Sequence, residues 1–220
     1  MWEFIKAGGW LMLPLFLCSI AALTISIERF IRLKKSLVAP ENLLDHLLTR
    51  EENGGLTSQE EIDLFNSPVG QVLKKAHIYR HKSAEFAQSQ MQTEASVQIA
   101  HLEKNINFLG TIGAIAPLLG LLGTVLGIIE AFLAVNTGGV TDPAMLATGV
   151  SKALITTAAG MIVAIPALIA YRYFQRVVVE LVVKMEQSAT LYHAALFHDK
   201  LSTHQATPTQ ARSSVSTIGE

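Results

Sequence analysis

Asn105 to Ile129 reads NINFLGTIGAIAPLLGLLGTVLGII, 25 residues without a charged side chain, closed off by Lys104 and Glu130. An α-helix rises about 1.5 Å per residue, so roughly 20 apolar residues cross the ~30 Å hydrocarbon layer of a bilayer. Two further stretches have that length: Ala7–Ile27, 21 residues between Lys6 and Glu28, and Ala153–Tyr171, 19 residues between Lys152 and Arg172. The third extends backward towards Asp142. Of the 220 residues 50% are hydrophobic and only 16% charged, against about a quarter charged in an ordinary soluble domain. The fold class expected is an all-α membrane protein with three transmembrane helices.

Balanced charge, 17 Lys+Arg against 18 Asp+Glu, and the lack of a basic stripe with interleaved aromatics give no reason to expect a nucleic-acid partner. The single cysteine, Cys18, excludes an internal disulfide framework and a cysteine-based zinc site. The first apolar stretch has a signal-peptide alternative. It is longer than a usual signal core, however, and Arg29, Arg32, Lys34 and Lys35 follow it rather than precede it, which favours a retained helix.

Basic residues orient the spans. Residues 28–107 hold ten Lys+Arg and residues 172–220 hold five, whereas Ala131–Ala147 holds none and only Lys6 precedes the first span. Positive segments stay in the cytoplasm, so the N-terminus is expected outside, with long cytoplasmic helical extensions of spans two and three. The expected organisation is a periplasmic N-terminus and first span over 1–27, a cytoplasmic helical segment over 28–107 and a second span over 108–133. A periplasmic loop over 134–146, a third span over 147–171, a cytoplasmic helical extension over 172–201 and a disordered tail over 202–220 complete it.

Asn53-Gly54-Gly55 and Ser67-Pro68 cut the middle segment into short helices. Ala95, Ile99, Leu102 and Ile106 recur at helical spacing, predicting a cytoplasmic helix that runs straight into span two. Phe174, Val178, Leu181, Met185, Tyr192 and Leu196 carry an apolar stripe beyond the third span. Outside a bilayer such a stripe needs partner helices to cover it.

Within the membrane, Gly113, Ala116, Gly120, Gly123, Gly127 and Ala131 fall on one face of span two, and Ala153, Thr156/Thr157, Gly160, Ala164 and Ala167 on one face of span three. Small residues at these spacings let helix backbones approach closely. Close packing and the lining of a pore both fit that pattern, packing the better on the stripe alone. Counted from Phe108 and Arg172, Thr124 and Thr157 lie at one depth, roughly 23 Å from the inner face. They form either a polar ring in an oligomer or ordinary i−4 bonds within their own helices. Glu130 and Lys152 fall about 30–33 Å out, near the outer boundary. Each either reaches interfacial water or joins the other in an ion pair, within or between subunits. Pro14, Pro117 and Pro166 sit one per span; each lacks a backbone donor and is expected to shape its helix.

No Asp, Glu or His lies deep in any span. Proton passage through a membrane ordinarily uses a titratable carrier, so if this chain moves protons the carboxylate comes from another polypeptide. His77 and His81 stand at i, i+4 without a third ligand, which favours a solvated helix face over a metal site. No phosphate-binding loop or nucleophile elbow occurs. No catalytic residue, metal or cofactor is expected.

Asn107-Phe108-Leu109-Gly110-Thr111-Ile112-Gly113, Ala116-Pro117-Leu118-Leu119-Gly120-Leu121-Leu122-Gly123-Thr124-Val125 and Gly160-Met161-Ile162-Val163-Ala164-Ile165-Pro166-Ala167 resemble the ExbB/TolQ/MotA proton-channel family. The opening Trp2-Glu3-Phe4-Ile5-Lys6-Ala7-Gly8-Gly9-Trp10 is similar to its ExbB-type members. The resemblance implies a multi-pass protein of the bacterial inner membrane that couples the proton motive force to work at the outer membrane. It implies a homopentamer around two ExbD-type single-span helices, whose Asp carries the proton, acting on a TonB-type periplasm-spanning protein. The family's pore-lining threonines match Thr124 and Thr157, with Gly120, Gly123, Gly127, Thr156 and Gly160 on the same faces. Family members often carry Glu where this chain has Lys152, and a lysine is no acidic proton carrier at ordinary pKa values. No acid role passes to position 152. A TolQ-like role in envelope maintenance and a non-conducting membrane scaffold are the alternatives.

Overall fold

The computed structural model describes residues 9–40, 42–52, 65–137 and 143–205. Among them all regular structure is helical: α1 Met12–Arg32, α2 Lys35–Val38, α3 Leu43–Glu52, α4 Pro68–Ile78, α5 Ala84–Glu103, α6 Ile106–Thr137 and α7 Pro143–Gln205. Three helical stretches are long and apolar enough to cross a membrane. The Asn53-Gly54-Gly55 turn signal, most of the opening motif, and residues 138–142 and 206–220 lie outside the described residues. The chain divides into two compact units, residues up to Lys34 with His101–Glu180, and Lys35–Ala100 with the residues from Leu181 onward.

The first unit holds the spans. Leu15 of α1, Ala116 of α6 and Ala164 of α7 are buried together, with Met12, Leu119, Ala159 and Val163 packed around them. The outward sides of the same helices expose Leu13, Leu17, Leu23, Leu118, Leu121, Ile162, Ile165 and Ile169. Water would penalise so continuous an apolar surface; hydrocarbon does not. Pro14 falls in the first turn of α1, where the backbone N–H groups have no helical acceptor, so it removes no hydrogen bond from the helix. Pro117 and Pro166 are interior and leave the carbonyls of Gly113 and Ile162 without their usual donor. Residues 134–137 and 143–146, expected in the loop, are helical; Pro143 suits the first position of α7 because its fixed φ matches the helix and its missing donor would be unbonded there.

The expectation of one helix running straight into span two is corrected. The helix breaks between α5 and α6, where Asn105 adopts the left-handed φ of 62°, a conformation Asn tolerates better than most L-residues. Its Nδ2 donates to Glu28 Oε2 at 3.3 Å. The break strips the carbonyls of His101 and Leu102 of their helical donors, and Arg29 Nη1 donates to both at 3.4 Å. Glu28 Oε1 accepts from Arg29 Nη2 and lies 3.2 Å from Arg32 Nε. A buried arginine at the end of α1 thus caps the carboxyl end of α5, where a cation also suits the helix dipole.

The second unit has its own core of Leu47, Phe65, Val72, Leu73, Ala76, Ala87, Met91, Leu181, Met185 and Tyr192. Ser67-Pro68, expected as a break, is the start of α4: the Ser67 Oγ accepts from Gly70 N at 3.0 Å and Pro68 takes the first helical position. Leu181, Met185 and Tyr192 of the stripe on α7 are all buried. His77 is also buried rather than solvated, its Nδ1 3.3 Å from the Tyr192 hydroxyl, because α4 turns that side towards the core. Glu94 of α5 pairs with Lys75 of α4 at 3.4 Å.

Candidate functional site

The candidate site is the seam between α6 and α7 inside the first unit. Five glycines and one threonine bring the two backbones together. A Cβ on Gly160 would stand 2.6 Å from the Ala116 carbonyl oxygen, and one on Gly120 3.0 Å from Thr157 Cα. Gly123 takes the Thr156 side chain, Gly127 faces Ala153, and Gly149 faces Ala131, where an added Cβ would also stand 3.1 Å from the Gly127 carbonyl oxygen. None of these positions admits a larger residue without moving backbone or a neighbouring side chain. The small-residue faces of the two spans therefore turn towards each other within one chain. Of the two roles that the stripe allowed, packing is the one a single chain displays for Gly120, Gly123, Gly127, Gly160 and Thr156; lining a pore belongs to an assembly.

The hydroxyls differ in how they are used. Thr156, 1% exposed, donates to Lys152 O at 3.0 Å on its own helix. Thr157 donates across the seam to Gly120 O at 2.9 Å, a bond that only a glycine-narrow helix lets a short side chain make. Thr124 donates to Leu121 O at 2.6 Å on its own helix and stays half-buried, as does Thr157. Thr157 thus meets α6 one turn from Thr124, which places the two hydroxyls at similar depth. Neither is sealed in the seam.

At the end of the seam away from α5, Lys152 Nζ lies 2.8 Å from Glu130 Oε2. The pair forms within the chain, between neighbouring antiparallel helices. Gly9, in the left-handed region at φ 75°, sits over the lysine stem: a Cβ there would stand 2.7 Å from Lys152 Cε. Gly9 and Gly149 were not singled out as site residues by sequence reasoning. Gly149 prolongs the three-and-four spacing of the third span by one turn and was legible in principle, whereas the Gly9 contact joins residues more than a hundred positions apart. Among the described residues no group of three or more His, Cys, Asp or Glu is placed to hold a metal. Hydroxyls and carbonyls can hold and pass on hydrogen bonds but cannot carry a proton as an acid does, and the one carboxylate at the seam, Glu130, stands at its end paired with Lys152.

Comparisons with known proteins bear on this arrangement. A model of the MotA/TolQ/ExbB proton channel family matches residues 64–187, which include the whole seam. An ExbB-like biopolymer transport protein of Synechocystis is 37% identical over 174 residues, 77% of this chain and 68% of its own length. The biopolymer transport protein exbB1 of Vibrio cholerae is 33% identical over 165 residues, 72% of each chain. The Tol-Pal system protein TolQ of Haemophilus influenzae is 43% identical over 74 residues, 34% of this chain and 32% of its own. Matched over more than half its length, with three apolar helices and a glycine seam between the second and third, the chain belongs to the MotA/TolQ/ExbB proton channel family.

Proposed function

We infer that this chain is the channel and stator subunit of a proton-driven energy transducer in a bacterial inner membrane. Several copies, a pentamer by family resemblance, surround ExbD-like single-span partners. A partner Asp carries the proton, and the movement it permits is passed to a TonB-like periplasm-spanning protein that energises outer-membrane transport. The observation that carries this reading is the combination of two half-buried hydroxyls, Thr124 and Thr157, with spans that hold no acid deep in the membrane. Protonation of the partner Asp removes its charge and with it most of the cost of moving past a low-dielectric wall. The threonine hydroxyls offer that carboxyl hydrogen bonds on the way.

Replacing both threonines tests it. In cells that depend on energised outer-membrane uptake, Thr124→Val with Thr157→Val is expected to abolish uptake while leaving the amount of assembled complex within about twofold. Thr24→Val, on the exposed side of α1 with its hydroxyl bonded to Ile20 O at 2.8 Å, is the control and should transport normally. Full uptake together with an intact envelope in the double variant would leave only the non-conducting scaffold. A TolQ-like envelope-maintenance role is the second reading, favoured by the 43% identity to a TolQ over the matched stretch. Loss of envelope integrity with intact uptake would select it.

A further inference from the structure

A groove of about 520 Å³ opens at the inner end of the spans, lined by Glu103, Ile106, Asn107, Arg172, Gln175, Arg176, Val178 and Val179. It lies within the first unit, between the start of α6 and the stretch of α7 just past the membrane boundary. On the rise of a helix, Arg176 lies about 6 Å and Val179 about 10 Å beyond Arg172. The headgroup layer of one leaflet is roughly 5–8 Å thick, so the groove runs through that layer. Tyr171 and Tyr173 adjoin Arg172 in sequence, and such aromatics are enriched at membrane surfaces.

The charges of the groove are unevenly engaged. Arg176 is held by Glu180, Nε to Oε1 at 3.2 Å, and Gln175 by the Tyr171 hydroxyl at 3.0 Å. Arg172 lies over the Tyr171 ring, 5.7 Å from its centroid, with no hydrogen-bond or ion-pair partner among the described residues. Glu103 on the opposite wall likewise has none. An unengaged guanidinium at the hydrocarbon edge and an unengaged carboxylate farther inward complement a ligand carrying both a phosphate and a primary ammonium. A purely anionic headgroup would meet Glu103 as a like charge, and a quaternary ammonium has no N–H to give it.

We propose that this groove binds the headgroup of a phosphatidylethanolamine of the inner leaflet, with the phosphate on Arg172 and the ammonium on Glu103. The site rests on the membrane-spanning reading alone and stands or falls independently of proton conduction. Ile106 and the two valines form its floor and wall, while the acyl chains continue up the exposed apolar side of α7.

Native mass spectrometry of the intact assembly tests it, with the protein exchanged into equal mixtures of phosphatidylethanolamine, phosphatidylglycerol and phosphatidylcholine of the same acyl chains. The wild type is expected to retain the ethanolamine lipid at least fivefold over the other two. Glu103→Gln should erase that preference over the choline lipid, and Arg172→Ala should lower retention of all three, with helical content by circular dichroism unchanged in both. Arg172→Lys, which keeps the charge, should restore part of it. Three results overturn the proposal: equal retention of the three lipids, a preference for the glycerol lipid that depends on Arg172 alone, or full displacement by soluble phosphoethanolamine at millimolar concentration. Protection of a Val179→Cys thiol from maleimide in lipid-free assemblies would also overturn it, because the groove would then be covered by another copy of the chain.

Discussion

Gly160 is the position where the seam brings neighbouring backbone closest to the place of a missing Cβ. The nearest atom to a Cβ there is a carbonyl oxygen of α6 at 2.6 Å, and backbone cannot rotate away as a side chain can. Gly160→Ala is therefore expected to cost about 1–3 kcal/mol, the usual range for overpacking a filled interface. Gly110→Ala, which meets the edge of the Tyr171 ring at 3.0 Å, should cost less because a ring at the membrane edge can shift. Thermal unfolding in detergent, followed by circular dichroism, compares the two; a Gly160→Ala protein as stable as wild type would mean that α6 and α7 do not pair as described. The spacing of these glycines showed in the sequence. Their partner did not, since a stripe of small residues fits a neighbouring span and a pore equally. Lys152 and Glu130 illustrate the same limit: their depths followed from counting residues, but the 2.8 Å contact depends on the rotation of both helices about their axes.

At the scale of elements, the break between α5 and α6 separates a polar helix from an apolar one. Hydropathy predicts a change of environment at that point but not a break in the helix, because the apolar positions Leu102 and Ile106 keep helical spacing across it. What decides the break is a long-range cluster: Arg29 on the carbonyls of His101 and Leu102, and Glu28 on Asn105. Asn105→Ala should lose about 1–2 kcal/mol, the cost of an alanine in the left-handed region, and shift the chain towards one continuous helix. Asn105→Gly keeps the backbone conformation and forfeits only the bond to Glu28, so it should be milder. Hydrogen exchange at residues 101–109 reads the difference. Slower exchange in Asn105→Ala than in wild type marks the continuous helix, and no difference between the two variants would remove the left-handed break as the determining feature.

For the whole molecule, the expected orientation follows from where the lysines and arginines stand, an inference from the positive-inside rule. Single thiols in a Cys18→Ser background check it. Thr148→Cys and Val183→Cys both fall at exposed positions, the first at the outermost turn of the third span and the second beyond its inner end. A membrane-impermeant maleimide added to intact spheroplasts should label the first and reach the second only after lysis. The reverse pattern would turn the protein over and place the proposed headgroup groove in the other leaflet.

Residue order alone determined the number of spans, the absence of an acid deep within any of them and the membership of a proton-channel family. These follow from hydrocarbon thickness, from the cost of burying charge, and from motifs that are local along the chain. Tertiary structure decided which faces meet. It spent the glycine stripes on each other, joined Thr157 to Gly120 across the seam, buried His77 and Arg29, and set Gly9 over Lys152. Those contacts depend on helix rotation and on residues far apart in sequence, and close approach selects among arrangements that share the same periodicity.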